Sequence, residues 1–328
     1  MAYTTIADPE AYFQVKLYTG TGSSLALTLD GDTALSPDMV WTKGRSYSSN
    51  HNVFDTVRGA TKRVYPHSTA AENTDSETLK TFDSDGFTVG TQDNVNTSSE
   101  TYVAWNWKES ATSGFDIVTY TGTGSARTVS HSLSAVPHFL TVKKRDGTGG
   151  WSTGHHRLAW TNEVQLQSND PVGASTPAFN DTDPTSSVFT LGSGANGNSD
   201  TDAFVGYVWS EKQGYSKFSS FVGNGADDGT FCFTGHRPAM VFLKGTASNR
   251  EWIIFDAKRD PSNPIDGNHN INTADTENTG TARIDFLSNG FKLRDAANNY
   301  NADGETYIYA SFAEAPFVNS NGVPCNAR

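Results

Sequence analysis

The hydrophobic positions of this 328-residue chain fall in short bursts that return at nearly constant intervals. Val15-Lys-Leu-Tyr18-Thr-Gly20-Thr-Gly22 returns as Ile117-Val-Thr-Tyr120-Thr-Gly122-Thr-Gly124, and more loosely as Phe218-Ser-Ser-Phe221-Val-Gly223-Asn-Gly225. A second burst opens on proline: Pro37-Asp-Met39-Val-Trp41-Thr-Lys43, Pro137-His-Phe139-Leu-Thr141-Val-Lys143 and Pro238-Ala-Met240-Val-Phe242-Leu-Lys244. A third reads Gly86-Phe87-Thr-Val89, Val188-Phe189-Thr-Leu191 and Gly290-Phe291-Lys-Leu293. The fourth is Tyr102-Val-Ala-Trp105-Asn-Trp107-Lys-Glu109, then Phe204-Val-Gly-Tyr207-Val-Trp209-Ser-Glu211, then Tyr307-Ile-Tyr-Ala310-Ser-Phe312-Ala-Glu314.

Four elements in one order point to a unit of about 100 residues written three times. The segments run over 12–110, 114–213 and 215–317, with a short piece 1–11 ahead and a tail 318–328 behind. The joints, Glu109-Ser-Ala-Thr-Ser-Gly114 and Lys212-Gln-Gly214, are short, which predicts a compact or semi-rigid array.

Val, Ile, Thr, Tyr, Phe and Trp dominate the bursts, as strands require. In Tyr102–Trp107 one face carries Val103, Trp105 and Trp107 and the other Ala104 and Asn106. That period of two predicts one face in a core and the other toward solvent or a neighbour. Proline cannot donate to a ladder and suits a strand start. The Gly-Thr-Gly, Asp-Ser-Asp-Gly and Leu-Ser-Asn-Gly steps are turn chemistry. No long amphipathic helix is visible, and Ser76–Phe82 comes nearest. The expected fold is all-β: three tandem antiparallel β-sandwich repeats. A three-bladed propeller fits less well, since propellers have shorter repeats and at least four blades.

Composition refines this picture. Charged residues are 18% and aromatics 12%, which supplies core rings without the high charge of a disordered chain. The net charge of −12 repels a phosphate backbone, so nucleic acid is not expected as a partner. No apolar run reaches the roughly 20 residues of a membrane span, and no signal peptide is visible. Cys232 and Cys325 cannot form a disulfide framework, which suggests folding in a reducing cytoplasm.

Candidate chemistry is sparse. His155-His156 with His131 or His138 lacks zinc-like spacing, and neither metal nor other cofactor is expected. Asp30-Gly-Asp32 and Asn301-Ala-Asp303-Gly-Glu305 follow the calcium-loop pattern only in part. Asp55 with Arg58 returns as Asp256 with Arg259, while the middle segment has His155 and Leu158 there. These pairs read better as structural ties than as a sugar or carboxylate site. Asp181, Asp183, Asp200 and Asp202 share a loop-rich stretch, and cleavage of a glycoside would need two of them positioned. Trp151, Trp160 and Trp252 lie outside the four elements and are the ligand-stacking candidates, with plugging of the sandwich ends as the plainer use.

Several strings resemble structural proteins of tailed bacteriophages from aquatic environments. They are Met-Ala-Tyr-Thr-Thr-Ile at the start, Val40-Trp-Thr-Lys-Gly-Arg45, Asn52-Val-Phe-Asp-Thr-Val-Arg58, Ser84-Asp-Gly-Phe87, Phe286-Leu-Ser-Asn-Gly-Phe-Lys-Leu293 and Thr306–Phe317. The resemblance spans about 12–317 and includes a β-rich domain of unknown function. It implies a virion context and offers no catalytic residues. The expectation is a non-enzymatic virion protein, made in the host cytoplasm, in a tail fibre or spike or decorating a capsid. Its partners would be other virion proteins, with residues 1–11 as a docking segment. By analogy with phage appendages it would be a homo-oligomer, a trimer for preference. A carbohydrate-recognising host-receptor binder is the alternative, and a polysaccharide depolymerase the next.

Overall fold

The computed structural model describes residues 2–325. The chain is all-β, with several antiparallel sheets and three single-turn helices, Asp93–Asn96, Thr176–Phe179 and Ala195–Asn198. Three larger sheets share one order. In each, the first and last strands of a segment lie side by side: Phe13 opposite Trp107, Phe115 opposite Trp209, Ser216 opposite Phe312. The proline-headed strand takes the far side of the last strand, with Met39, Phe139 and Met240 opposite those same three residues. The next strand pairs onto it through Asp55, His155 and Asp256. These registers define which residues of the three segments correspond.

Each larger sheet has a smaller companion. Leu25–Thr28, Gly86–Val89 and Leu79–Asp83 form the first, Arg127–Ser130 and Val188–Leu191 the second, and Phe231–Phe233, Gly290–Leu293 and Ile284–Leu287 the third. Leu79–Asp83 thus corrects the helical reading of 76–82: Leu79 and Phe82 pair with Val89 and Phe87 of a neighbouring strand.

The alternation in Tyr102–Trp107 does not separate core from solvent, because both faces are buried, in different cores. Val103, Trp105 and Trp107 enter a central core that also holds Phe115, Phe139, Trp209, Phe218, Phe242 and Phe312 from the other segments. Tyr102 and Ala104 enter a peripheral core with Leu27, Phe87 and Val89 of the smaller sheet. Segments 2 and 3 have peripheral cores of their own, around Phe189 and around Phe291. Rings meet across segments in the centre: Phe13 stacks on Phe312 at 5.4 Å and Phe139 meets Phe242 at 5.5 Å.

The recurring Gly-x-Gly turn has a steric cause. A Cβ on Gly20, Gly122 or Gly223 would stand 2.0–2.2 Å from the carbonyl oxygen of Thr97, Ser199 or Ala302. A buried asparagine holds each turn there. The Asn198 amide donates to Ser125 O and Gly192 O, both at 2.7 Å, and its oxygen accepts Thr123 N–H at 2.9 Å. Asn96 and Asn301 make the corresponding contacts with Thr21 and Asn224. Asn198→Ala strands these backbone groups and should cost about 1–3 kcal/mol, read by urea denaturation.

Residues 2–11 fold onto the third segment and the centre. Ile6 joins the central core, Thr4 is buried, and Tyr3 Oη donates to Gly235 O at 2.9 Å. The part of this piece that the structure describes is therefore not a free docking arm.

Candidate functional site: the seams between segments

The two Asp–Arg pairs are buried ion pairs, and both face the next segment. Arg58 Nε lies 2.5 Å from Asp55 Oδ2, and neither side chain is exposed. Arg58 also donates to Glu72 at 3.0 Å and to Tyr207 Oη at 3.1 Å, and Tyr207 in turn donates to Asp55 at 2.7 Å. Arg145 of segment 2 grips both oxygens of Glu72, at 2.9 and 3.1 Å. Burial works against the charge on Arg58, but Tyr207, Asp55 and Glu72 overcome it and hold the guanidinium above its usual value.

The same network closes segment 3 onto segment 1. Arg259 pairs with Asp256 at 2.5 Å and with Glu277 at 2.9 Å, and Arg45 Nε donates to Glu277 at 2.8 Å. Trp105 Nε1 donates to Asp256 at 3.1 Å, and the Arg259 guanidinium lies 5.6 Å from the centre of the Trp105 ring. Between segments 2 and 3 the corresponding residues are His155, Leu158, Val172, Thr246 and Ala310. Leu158 and Val172 pack against the central core instead. One backbone bond persists at all three seams: Glu72 N–H to Arg145 O at 2.8 Å, Val172 N–H to Thr246 O at 3.0 Å, and Glu277 N–H to Arg45 O at 3.0 Å. Contacts thus run from 1 to 2, from 2 to 3 and from 3 back to 1.

The tryptophan candidates are interior. Trp151 and Trp252 are 1% exposed and Trp160 is 5% exposed, so none offers a ring face to a sugar. Trp151 Nε1 donates to Tyr65 O at 2.9 Å and Trp252 Nε1 to Gln165 O at 3.0 Å, each reaching into the preceding segment. His51 occupies the matching place. Its Nδ1 accepts from Trp41 at 3.0 Å, which leaves Nε2–H to donate to Asn270 O at 3.0 Å. Trp160 packs edge-on against Phe179 in the peripheral core of segment 2. The reading failed because the strand that follows Gly150 is buried on both faces, which loop-like neighbours in sequence conceal.

Three buried lysines also recur. Lys43 Nζ donates to Ala274 O at 3.2 Å and Lys143 Nζ to Thr69 O at 3.1 Å, each in the preceding segment, while Lys244 Nζ reaches Arg250 O. Burial lowers each ammonium to about 8. Their spacing of about 100 residues was the sequence signal, as it was for the asparagines.

The other candidates do not converge. Asp202 pairs with Lys144 at 2.5 Å, Asp181 accepts from Thr176 at 2.8 Å, and Asp183 and Asp200 are exposed. Asp30 pairs with Lys16 and Lys258, and Glu305 with Arg250. His138 and His156 stack edge to face at 4.7 Å with His155 beside them, whereas His131 Nε2 faces Thr185 O. Among the described residues no group of three or more His, Cys, Asp or Glu is placed to hold a metal ion. Cys232 is a buried free thiol and Cys325 an exposed one. No helix among the described residues is long and apolar enough to cross a membrane.

The profile of a family described as a domain of unknown function, DUF7483, matches residues 8–316. The chain belongs to the DUF7483 family. The matched span takes in all three larger sheets, so the DUF7483 unit includes every seam. No curated protein matches this DUF7483 chain. One surface feature lacks a counterpart in the other segments. Phe231 and Phe233 are about half exposed on the edge of the third smaller sheet, where the first has Ala26 and Thr28 and the second Thr128 and Ser130.

Proposed function

We propose that this DUF7483 domain is a non-enzymatic structural protein displayed on a phage particle, in a tail fibre or spike or as a capsid decoration. In this reading it is built from three tandem two-sheet β-sandwich repeats closed into a ring. The observation that carries it is where the buried charge goes. Asp55, Arg58, Asp256 and Arg259, which could have formed a recognition site, are consumed in joining segments. A chain that commits its charged interior to closure is suited to being a rigid building unit, and the phage-like strings agree with that use. Antibody labelling and mass spectrometry of purified particles carrying this gene test it, and absence from the particle would reject it.

The ring also bears on assembly. Three like interfaces, which a homotrimer would supply, lie within one chain. The unit is expected to be a monomer in dilute solution, with light scattering giving 35.4 kDa. A mass near three times that value would restore the trimer. The glycan reading loses its tryptophans to burial, and Phe231 and Phe233 are the exposed aromatic platforms among the described residues.

A further inference from the structure

At each seam the first strand of one segment lays an edge against the strand ends of the segment before it. Two positions close over that edge, and one hydrogen bond identifies them each time: Thr56 N–H to Asp38 O and His156 N–H to His138 O, both at 2.9 Å, and Ala257 N–H to Ala239 O at 2.8 Å. Between segments 2 and 3 the imidazoles do the closing. His156 Nε2 donates to the strand-edge carbonyl of Phe218 at 2.8 Å, and His138 Nδ1 accepts Glu211 N–H at 3.1 Å. Between segments 1 and 2, Asp38 accepts Glu109 N–H at 2.8 Å.

Between segments 3 and 1 both closing residues are alanine. Ala313 is a third, where the other segments carry Lys108 and Ser210. The small side chains leave a cleft of about 150 Å³ over Phe13 and over Val15, the counterpart of Phe218. That is the size of a cavity that holds one benzene ring. Three carboxylates, Glu10, Asp30 and Glu314, line the cleft against one ammonium, Lys258. Asp30 pairs with Lys258 at 3.3 Å and Lys16 at 3.6 Å, Glu314 pairs with Arg237 at 2.9 Å, and Glu10 accepts Asp32 N–H at 2.6 Å. Asp30 remains nearly half exposed, so its oxygens can accept more.

We propose that this cleft binds an arginine side chain presented by a partner protein, its guanidinium taking the place that the His156 imidazole takes at the neighbouring seam. A guanidinium is planar, donates N–H groups along its edge and matches carboxylates in pairs, while its methylenes suit the alanine and phenylalanine walls. The site does not depend on where the protein sits in a particle.

The test titrates N-acetyl-arginine amide into the full ¹⁵N-labelled chain and follows amide shifts by NMR. Shifts should centre on Val15, Ala239 and Ala257. The uncharged isostere N-acetyl-citrulline amide should bind about tenfold more weakly, and N-acetyl-glutamate amide should not bind. Ala239→His with Ala257→His rebuilds the neighbouring closure and should abolish the shifts, and Ala257→Leu serves if that pair does not fold. No shifts with the arginine probe would overturn the proposal. So would equal binding of citrulline, or undiminished shifts in a folded cleft variant.

Discussion

Arg259→Met should lower the folding free energy by about 3–5 kcal/mol, because it leaves the carboxylate of Asp256 buried without its cation. Glu277 keeps Arg45, so the damage falls mainly on Asp256 and on the Trp105 ring beneath the guanidinium. The chain contains its own control. Between segments 2 and 3 the same places hold His155, Leu158, Val172, Thr246 and Ala310, with no buried Asp–Arg pair. Transplanting that set into the seam between 3 and 1, as Asp256→His, Arg259→Leu, Glu277→Val, Arg45→Thr and Trp105→Ala, should recover much of the loss. Exchanging a whole buried ion pair for apolar groups is often neutral, whereas removing one partner is not. Denaturant titration of both variants decides the matter. A cost under about 1 kcal/mol for Arg259→Met would mean that the pair does not hold the seam.

The second large effect is acid lability. Burial lowers all eight histidines, with His51 and His269 pushed well below the usual value, His155 and His236 to about 3 and His67 to about 4. A group with a depressed folded value takes its proton first in the unfolded chain. Stability is therefore intact above pH 6.5 and is lost as pH falls from there toward 4, by about 1.4 kcal/mol per unit for each of these five. Glu109, raised to about 8 by burial and by Asp116 beside it, works the other way between 8 and 4.5, and Glu163, raised by burial, works with it above 4.5, two groups against five. Against a total stability of about 5–15 kcal/mol, unfolding near pH 5 is expected, well before most carboxylates titrate. Circular dichroism across pH 7 to 4 measures this. His269 stands where segments 1 and 2 have Val64 and Val164, and neither of its ring nitrogens has a partner among the described residues. His269→Val should move the acid midpoint lower.

Much of the fold was legible because core positions repeat. Tyr18, Tyr120 and Phe221, and Phe87, Phe189 and Phe291, fill matching places, so a spacing of about 101 exposed the strands and their order. The Asp55–Arg58 tie was legible for the same reason, recurring as Asp256–Arg259. What spacing could not convey is contact between segments. Tyr207 and Glu72 are far apart in sequence and give no local sign that both reach Arg58. The tryptophans misled because Trp151 and Trp252 follow polar loops, yet they lie between Tyr207 and Phe242 of their own segments and the neighbouring segment that their indoles reach. The alanine cleft was equally hidden, since Ala239 and Ala257 gain meaning only beside His138 and His156.

The three seams differ in kind: a charged network with carboxylates at the strand edge, an apolar joint with imidazoles, and a charged network with alanines. A segment borrowed from a second molecule would fit only into the vacancy left by its own counterpart. Elsewhere it would set Arg58 against Ala310, without the Tyr207 hydroxyl, or Leu158 and Val172 against Arg45, which would lose the Glu277 carboxylate. Concentrated chains released together from denaturant should therefore exchange segments like for like or not at all, giving closed species instead of open-ended chains of molecules.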